Sequence, residues 1–457
     1  MDEISFGTDG WRATLDTFTE ERVRIVGQAV ADYLADTDAG ETVAVGYDAR
    51  DHSPGFADAL ADVLAGNGFD VLLSESDCPT PVVAWTITDR DLAGGLMLTA
   101  SHNPPEYNGV KFLPADGAPA MPGVTDDLES RLSPPEQLPD DDRGEITPTA
   151  FTEEYRRHAL AFADADLGGL TVAYDAMHGS GRGVTDDLLG AAGATVDRLR
   201  CAAAEGFGGV SPEPSAEKLR DLIERVTDGG ADLGFANDGD ADRLAVVTPD
   251  RGHLDPNVLF AVLYDYLLET GSGPAVRTVS TTFLIDRIAE DHGQRAVEVP
   301  VGFKWVADAM REHDALVGGE ESGGFGIADH LRNKDGVLLA LVLAAAHAER
   351  PIDERADDIA AAYGEIHQDR VSVDCPDDRK ASVLESLDGD LPDRIAGVAV
   401  EDVGTKDGFK IFLADGTWLL VRPSGTEPKL RVYAEADDAD RVAELLAAGR
   451  EIVEPRV

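Results

Sequence analysis

The chain has 457 residues, long enough for three to four separate cores, and its 43% hydrophobic fraction is that of a folded protein. Its 88 acidic and 39 basic residues leave a formal charge of −49, which must lie on the surface and which disfavours nucleic acid and anionic membrane as partners. Such a surface suits concentrated salt, where the Debye length falls to about 3 Å near 1 M.

No apolar run approaches the ~20 residues of a membrane span, and no basic-plus-apolar leader opens the sequence, so the expected compartment is the cytoplasm. The three cysteines, Cys78, Cys201 and Cys375, lie more than a hundred residues apart. That spacing excludes CxxC motifs and points to small buried side chains.

Taken in order, Thr19 is placed to cap a helix whose Val23, Val26, Val30 and Leu34 recur at helical spacing. Strands are expected at 43–48 and 68–73, separated by a helical pattern around Phe56 to Leu64, and a third at 94–98 runs into Thr99-Ala100-Ser101-His102-Asn103-Pro104-Pro105. The grammar then recurs. A second unit opens at 170–175, continues at 193–196 and ends a third strand at 232–236, before Asn237-Asp238-Gly239-Asp240-Ala241-Asp242-Arg243. A third unit starts at 278–282, continues at 295–299 and delivers Ala315-Leu316-Val317 into Gly318-Gly319-Glu320-Glu321-Ser322-Gly323-Gly324. Each special loop follows the third strand of its unit, so three diverged copies of one α/β unit are expected. The tail differs: an Asp415-Gly416 hairpin, the turn Arg422-Pro423-Ser424-Gly425-Thr426, a strand at 430–434 and a helix over about 438–452 describe a smaller α+β domain. The expected division is 1–145, 146–253, 254–363 and 364–457.

Asp238, Asp240 and Asp242 alternate through a tight loop and can converge on one hard cation. An EF-hand is excluded, because its glycine and glutamate positions fall on Arg243 and Pro249. Mg²⁺ shared with a phosphate oxygen is the natural occupant, the alternative being a solvated acidic turn. Arg422 to Thr426 gathers a fork donor, two hydroxyls and free backbone N–H groups, the composition of a phosphate cradle. Asp175-Ala176-Met177-His178-Gly179-Ser180-Gly181 fits neither a P-loop nor a complete GxGxxG and reads as structural. His102 and His178 are each a lone turn histidine that can act as a base.

Together these residues resemble the α-D-phosphohexomutase superfamily of phosphoglucomutase and phosphomannomutase. Thr99 to Pro104 is similar to its phosphoserine loop, Asp238 to Arg243 to its metal loop, Gly319 to Gly323 to its sugar loop and Arg422 to Thr426 to its phosphate loop, all in the family's order over essentially the whole chain. The resemblance implies three similar α/β domains with mixed and parallel sheets, plus a smaller C-terminal α+β domain, around a central cleft. It implies that Ser101 carries the phosphoryl group and joins one Mg²⁺ held by Asp238, Asp240 and Asp242. Arg243 and Lys111 lie nearby, Lys111 as general acid/base and His102 orienting the loop. Glu320 and Ser322 are implied for sugar hydroxyls; Arg422, Ser424, Gly425 and Thr426 for the idle phosphate; Thr8, Arg12 and Lys304 to complete the cleft.

The implied reaction interconverts hexose 1-phosphate and hexose 6-phosphate through a hexose 1,6-bisphosphate, which also serves as activator, in a monomer or homodimer. Relatives using mannose or glucosamine phosphates often carry His after Ser-Gly in the sugar loop, whereas this sequence has Gly324. Gly302-Phe303-Lys304 and 318–323 look closer to the phosphoglucomutase branch. Glucose is therefore the expected sugar, with mannose and glucosamine phosphates as alternatives and His330 a candidate for the missing imidazole. A phosphoserine-type sugar phosphatase and a non-catalytic sugar-phosphate binder are the rival classes.

Overall fold

The computed structural model describes residues 3–7, 10–37, 40–425 and 427–457. Local chemistry starts the elements much as the sequence suggests. Thr19 caps the helix Glu20–Ala35, whose Val23, Val26, Val30 and Leu34 are buried, and Asp438 caps the helix Ala439–Val453. The helix expected around Phe56 to Leu64 spans Ser53–Gly66, with proline in its first turn.

The repeat is real and can be stated as topology. In the first sheet the parallel strands Asp70–Ser74, Thr42–Tyr47 and Gly94–Leu98 lie side by side, and Tyr107–Pro114 returns antiparallel against the last. The second sheet repeats this order with Thr195–Leu199, Thr171–Asp175, Leu233–Asn237 and antiparallel Leu244–Thr248. The third does so with Ala296–Val299, Ala275–Thr278, Val317–Gly319 and antiparallel Phe325–Ile327. Each special loop is thus the link between a third parallel strand and its antiparallel partner. Trp11–Thr14 extends the first sheet at one edge and Ile146–Thr149, just past the expected boundary, extends it at the other.

The third unit's opening strand is Ala275–Thr278 rather than 278–282. β-Branched residues continue past Thr278, but their hydroxyls divert the backbone: Thr278 Oγ1 lies 2.8 Å from Thr281 Oγ1, and Thr282 N–H donates to Asn257 Oδ1 at 3.0 Å. Its third strand likewise begins at Val317. The fourth domain is an antiparallel sheet, with the hairpin Phe409–Leu413 and Trp418–Pro423 turning at Asp415-Gly416, covered by Ala439–Val453.

The units are welded by shared cores. Trp85 of the first packs edge-on against Tyr155 of the second, with ring centroids 5.8 Å apart. The helix Gly336–Glu349 is apolar all round and buried nearly throughout, as befits an element enclosed by the second and third units. Asp335 caps it, accepting from the N–H groups of Val337 and Leu338. Its first residue must be glycine: a Cβ on Gly336 would meet Arg243 O at 2.3 Å, so the helix start abuts the Asp loop. Cys78, Cys201 and Cys375 are free, the first and last buried and Cys201 half-buried. Among the described residues no helix is long and apolar enough to cross a membrane.

Candidate active site

Two of the strand-end loops present their key residues on left-handed backbone, Ser101 at φ 52° and Ala241 at φ 55°. A non-glycine residue persists there only where its surroundings hold it. The Ser101 N–H donates to Thr99 Oγ1 at 2.8 Å, and its Oγ, almost fully buried, donates to Asp238 Oδ2 at 2.7 Å across the boundary between the first two units. His102 Nδ1 lies 3.3 Å from the same Oγ. The Arg243 guanidinium, with burial and Arg12 adding, holds His102 down to about 2, so its imidazole is neutral at physiological pH. That suits an orienting hydrogen bond rather than a cationic acid. Arg12 Nη1 donates to Asn103 Oδ1 at 3.2 Å, on the same loop.

Asp238, Asp240 and Asp242 are fully buried, and one oxygen from each lies within 4.8 Å of the others. Burial, reinforced by its two acidic neighbours, pushes the Asp238 carboxyl well above the usual range. Burial also opposes ionisation of Asp240, but the Lys111 ammonium, the Thr80 hydroxyl and Lys334 together outweigh it and hold that carboxyl low. Lys111 Nζ donates to Asp240 Oδ2 at 2.9 Å and to Asp242 Oδ2 at 3.0 Å, while Arg243 Nε stands 4.0 Å from Asp238 and from Asp242. Among the described residues, Asp240 Oδ1 and Asp242 Oδ1 are buried without a hydrogen-bond partner. A buried carboxylate oxygen left so costs about 1–3 kcal/mol, which a small divalent cation would relieve. The donor set therefore fits Mg²⁺.

Lys334 carried no signal in the sequence, and the structure brings it into this cluster. It stands one residue before the cap of Gly336–Glu349 and reaches Asp242 Oδ2 at 2.9 Å. It also occupies space beside the sugar loop: a Cβ on Gly324 would meet Lys334 Cδ at 2.4 Å. Only the close approach of Gly336 to the Asp loop, invisible in one sequence, puts this lysine there.

The other loops join through backbone bonds. Glu320 is buried, and that burial raises its carboxyl against the pull of Lys334 and Arg243. Its Oε1 accepts from Gly302 N–H at 3.0 Å, pinning the first turn of Phe303–His313, where Lys304 sits. Ser322 is exposed at the loop tip, and Gly323 O accepts from Leu244 N–H beside Arg243. Arg422 Nε donates to Asp407 Oδ2, which also accepts from Val301 N–H; this ties the fourth-domain turn to the start of the same helix. Ser424 is buried and Gly425 exposed on that turn. Thr8 and Thr426 lie outside the described residues.

His330 does not serve the sugar loop. Its ring is buried against Tyr155, His158 and Phe162, with Nε2 2.7 Å from Asp335 Oδ2 and Nδ1 2.9 Å from His158 Nε2, so it is part of an inter-unit core. His178 binds Ala202 O through Nδ1, and its loop buttresses the Asp loop, Ser180 N–H donating to Gly239 O. That agrees with the structural reading of 175–181.

Comparison with known proteins gives the arrangement its family. The models of phosphoglucomutase/phosphomannomutase domains I, II, III and the C-terminal domain match residues 3–138, 151–252, 255–363 and 371–452. A Methanopyrus kandleri protein named "Probable phosphoglucosamine mutase" is 35% identical over 96% of this chain and 95% of its own length. A Thermococcus kodakarensis phosphopentomutase is 33% identical over 96% and 95%. A crystal structure from Thermus thermophilus, assigned there as a phosphomannomutase, superposes with a TM-score of 0.86 at 31% identity, covering 99% of both chains. With all four domain models matched in order over one continuous chain, the protein belongs to the phosphoglucomutase/phosphomannomutase family of phosphohexomutases and is an intramolecular phosphotransferase.

Proposed function

We propose that the enzyme interconverts hexosamine 1-phosphate and 6-phosphate with Ser101 as its phosphate carrier, the observation that carries this being the 2.7 Å bond from Ser101 Oγ to Asp238 Oδ2 inside a buried carboxylate triad. In the first transfer the P–O bond to Ser101 breaks as a P–O bond to a sugar hydroxyl forms, and that hydroxyl's proton passes to a base, for which Lys111 in its neutral amine form is the candidate. The bisphosphate turns over, and its other phosphoryl returns to Ser101. One Mg²⁺ per chain, held by Asp238, Asp240, Asp242 and a phosphoserine oxygen, would offset the charge of the transferring group. Arg243 and Lys334 add fixed positive charge. Glu320 and Ser322 are assigned to the sugar hydroxyls. Arg12, Lys304, Arg422, Ser424 and Gly425 are assigned to the remaining phosphate and the cleft wall, with hexose 1,6-bisphosphate as the activator.

The sugar is the open choice. Glucosamine is favoured over the glucose expected from the sugar loop because the relative at 35% identity bears that name. One observation keeps glucose as a second reading. The stem of Lys334 fills the place a side chain at 324 would take, and its ammonium would repel that of an aminosugar more than a neutral hydroxyl. Turnover of glucosamine, glucose, mannose and ribose 1-phosphates, each with trace bisphosphate and Mg²⁺ in high salt, decides among them. Highest kcat/KM on glucosamine 1-phosphate supports the proposal, and highest on glucose 1-phosphate reverses it. Inorganic phosphate released in excess of isomer would replace both with a phosphatase.

A further inference from the structure

The turn that carries Ser101 hangs from one side chain. Arg50, 4% exposed, uses all five guanidinium N–H donors within the first unit. Nε donates to Asp48 Oδ2 at 3.0 Å; Nη1 donates to Pro104 O at 2.8 Å and Tyr107 O at 2.9 Å; Nη2 donates to Ser101 O at 2.7 Å and Asn103 O at 2.8 Å. Asp48 in turn accepts from Thr99 Oγ1 at 2.7 Å and Ser53 Oγ at 2.9 Å, and Thr99 Oγ1 accepts from the Ser101 N–H. Both peptide groups of Ser101 therefore trace to one ion pair. With no donor left over, Arg50 is no phosphate ligand, which separates it from Arg12 and Arg243.

The face of this fork is closed from the second unit. The Phe207 ring, 2% exposed, lies with its centroid 5.1 Å from Arg50 Cζ, within cation–π range. It sits in the segment Glu205–Gly209, where residues 206 to 209 have φ of 53°, 53°, 68° and 82° in succession. A phenylalanine in left-handed backbone is strained, and such strain persists where something specific holds it. Here Gly206 N–H donates to Asp51 Oδ2 at 3.0 Å, and a Cβ on Gly206 would touch Pro105 at 3.4 Å. The chain then brings Pro212 beside Gly239 of the Asp loop, where a Cβ would meet Pro212 Cγ at 2.8 Å and Ser101 O at 2.6 Å. Segment 205–212 is wedged between the serine loop and the Asp loop.

We propose that Arg50 and Phe207 are positioning residues that set the register of Ser101 on Asp238 across the unit boundary, an inference that rests on Ser101 being the phosphate carrier. Arg50 fixes the loop's shape, and Phe207 fixes where that loop stands relative to the triad.

The test uses the full-length protein with Mg²⁺ and two variants, Arg50→Lys, which keeps the charge but loses the fork, and Phe207→Leu, which keeps an apolar cover but loses the ring face. Amide hydrogen exchange over 99–108, kcat and KM are measured for each. The expected result is exchange at least tenfold faster in that segment alone, and kcat at least tenfold lower with KM for sugar phosphate within threefold. Unchanged exchange and kcat in both variants, a rise in KM at constant kcat, or protection lost evenly over all four domains would each overturn the proposal. Should Arg50→Lys not fold, Phe207→Leu carries the test. Should wild-type protein turn over no sugar phosphate, the proposed function falls while the exchange measurement still decides the brace.

Discussion

Lys111 and Lys334 meet on one oxygen. Asp242 Oδ2 accepts from the first at 3.0 Å and from the second at 2.9 Å, although they belong to the first and third repeats and Asp242 to the second. All three α/β units therefore contribute charge to a single carboxylate.

The two ammonium groups compete with a divalent cation for the triad. Lys334→Met should tighten Mg²⁺ binding several-fold by calorimetric titration while lowering kcat/KM by about tenfold or more, as expected when a group that stabilises transferring charge is removed. Weaker Mg²⁺ binding in the variant would contradict this account.

Gly324 and Lys334 should behave as one unit. A methyl group at 324 overlaps Lys334 Cδ and would push the lysine off Asp242. Gly324→Ala is expected to reproduce the loss of Lys334→Met, and the double variant to be no worse than the poorer single. Additive losses in log kcat/KM would show that the two act separately.

Ser101→Ala should abolish transfer of label from hexose bisphosphate to protein and lower turnover by at least about 10³-fold, with little change in melting temperature, since the hydroxyl loses only its bond to Asp238 and its 3.3 Å contact with His102 Nδ1. Normal turnover in this variant would remove the serine from the reaction.

The charge of −49 opposes a dianionic substrate, and added salt screens that repulsion. Raising salt from about 0.1 M to about 1 M, where the Debye length shrinks from ~10 Å to ~3 Å, should raise kcat/KM for the sugar phosphate several-fold. A steady fall from the most dilute buffer would refute this.

Lys410 joins the fourth domain to the third. Its buried Nζ donates to Val279 O at 2.7 Å and Glu298 Oε2 at 3.0 Å, among Phe283, Trp418, Arg277 and Glu435. Burial, with Arg277 adding, lowers it from 10.5 to about 8. Below about pH 8 it is charged in both folded and unfolded chains. Between there and 10.5 only the folded chain has released the proton, so stability rises with pH across that window, on the order of 3 kcal/mol in all. Lys410→Met should remove this alkaline rise in urea midpoint, measured as the difference from wild type. Parallel profiles would count against it.

What the sequence disclosed and what it withheld divide along physical lines. The serine loop, the alternating aspartates and the repeat are patterns of spacing and turn chemistry; the structure sets each loop after the third parallel strand of its unit and brings one oxygen of each aspartate within 4.8 Å of the others. Strand limits shifted at Thr278 because side-chain hydroxyls, not β-propensity, decide where that strand leaves its sheet. Lys334 was missed because its place depends on a helix start so close to Arg243 O that a Cβ there would meet it at 2.3 Å. Arg50 was missed because four of its five donors go to backbone carbonyls, which every residue has. His330 looked available in the sequence, and its burial among three aromatic rings made it part of the core instead.

The left-handed backbone at Ser101 narrows what evolution could put there. Threonine carries the same nucleophile, but its branched Cβ is poorly tolerated at φ 52°. Asparagine and glycine accept that conformation and have no hydroxyl to phosphorylate. Serine is the small hydroxyl residue that satisfies both demands, so, with Ser101 as the proposed phosphate carrier, the shape of one peptide turn restricts the choice of that residue before any contact with substrate is made.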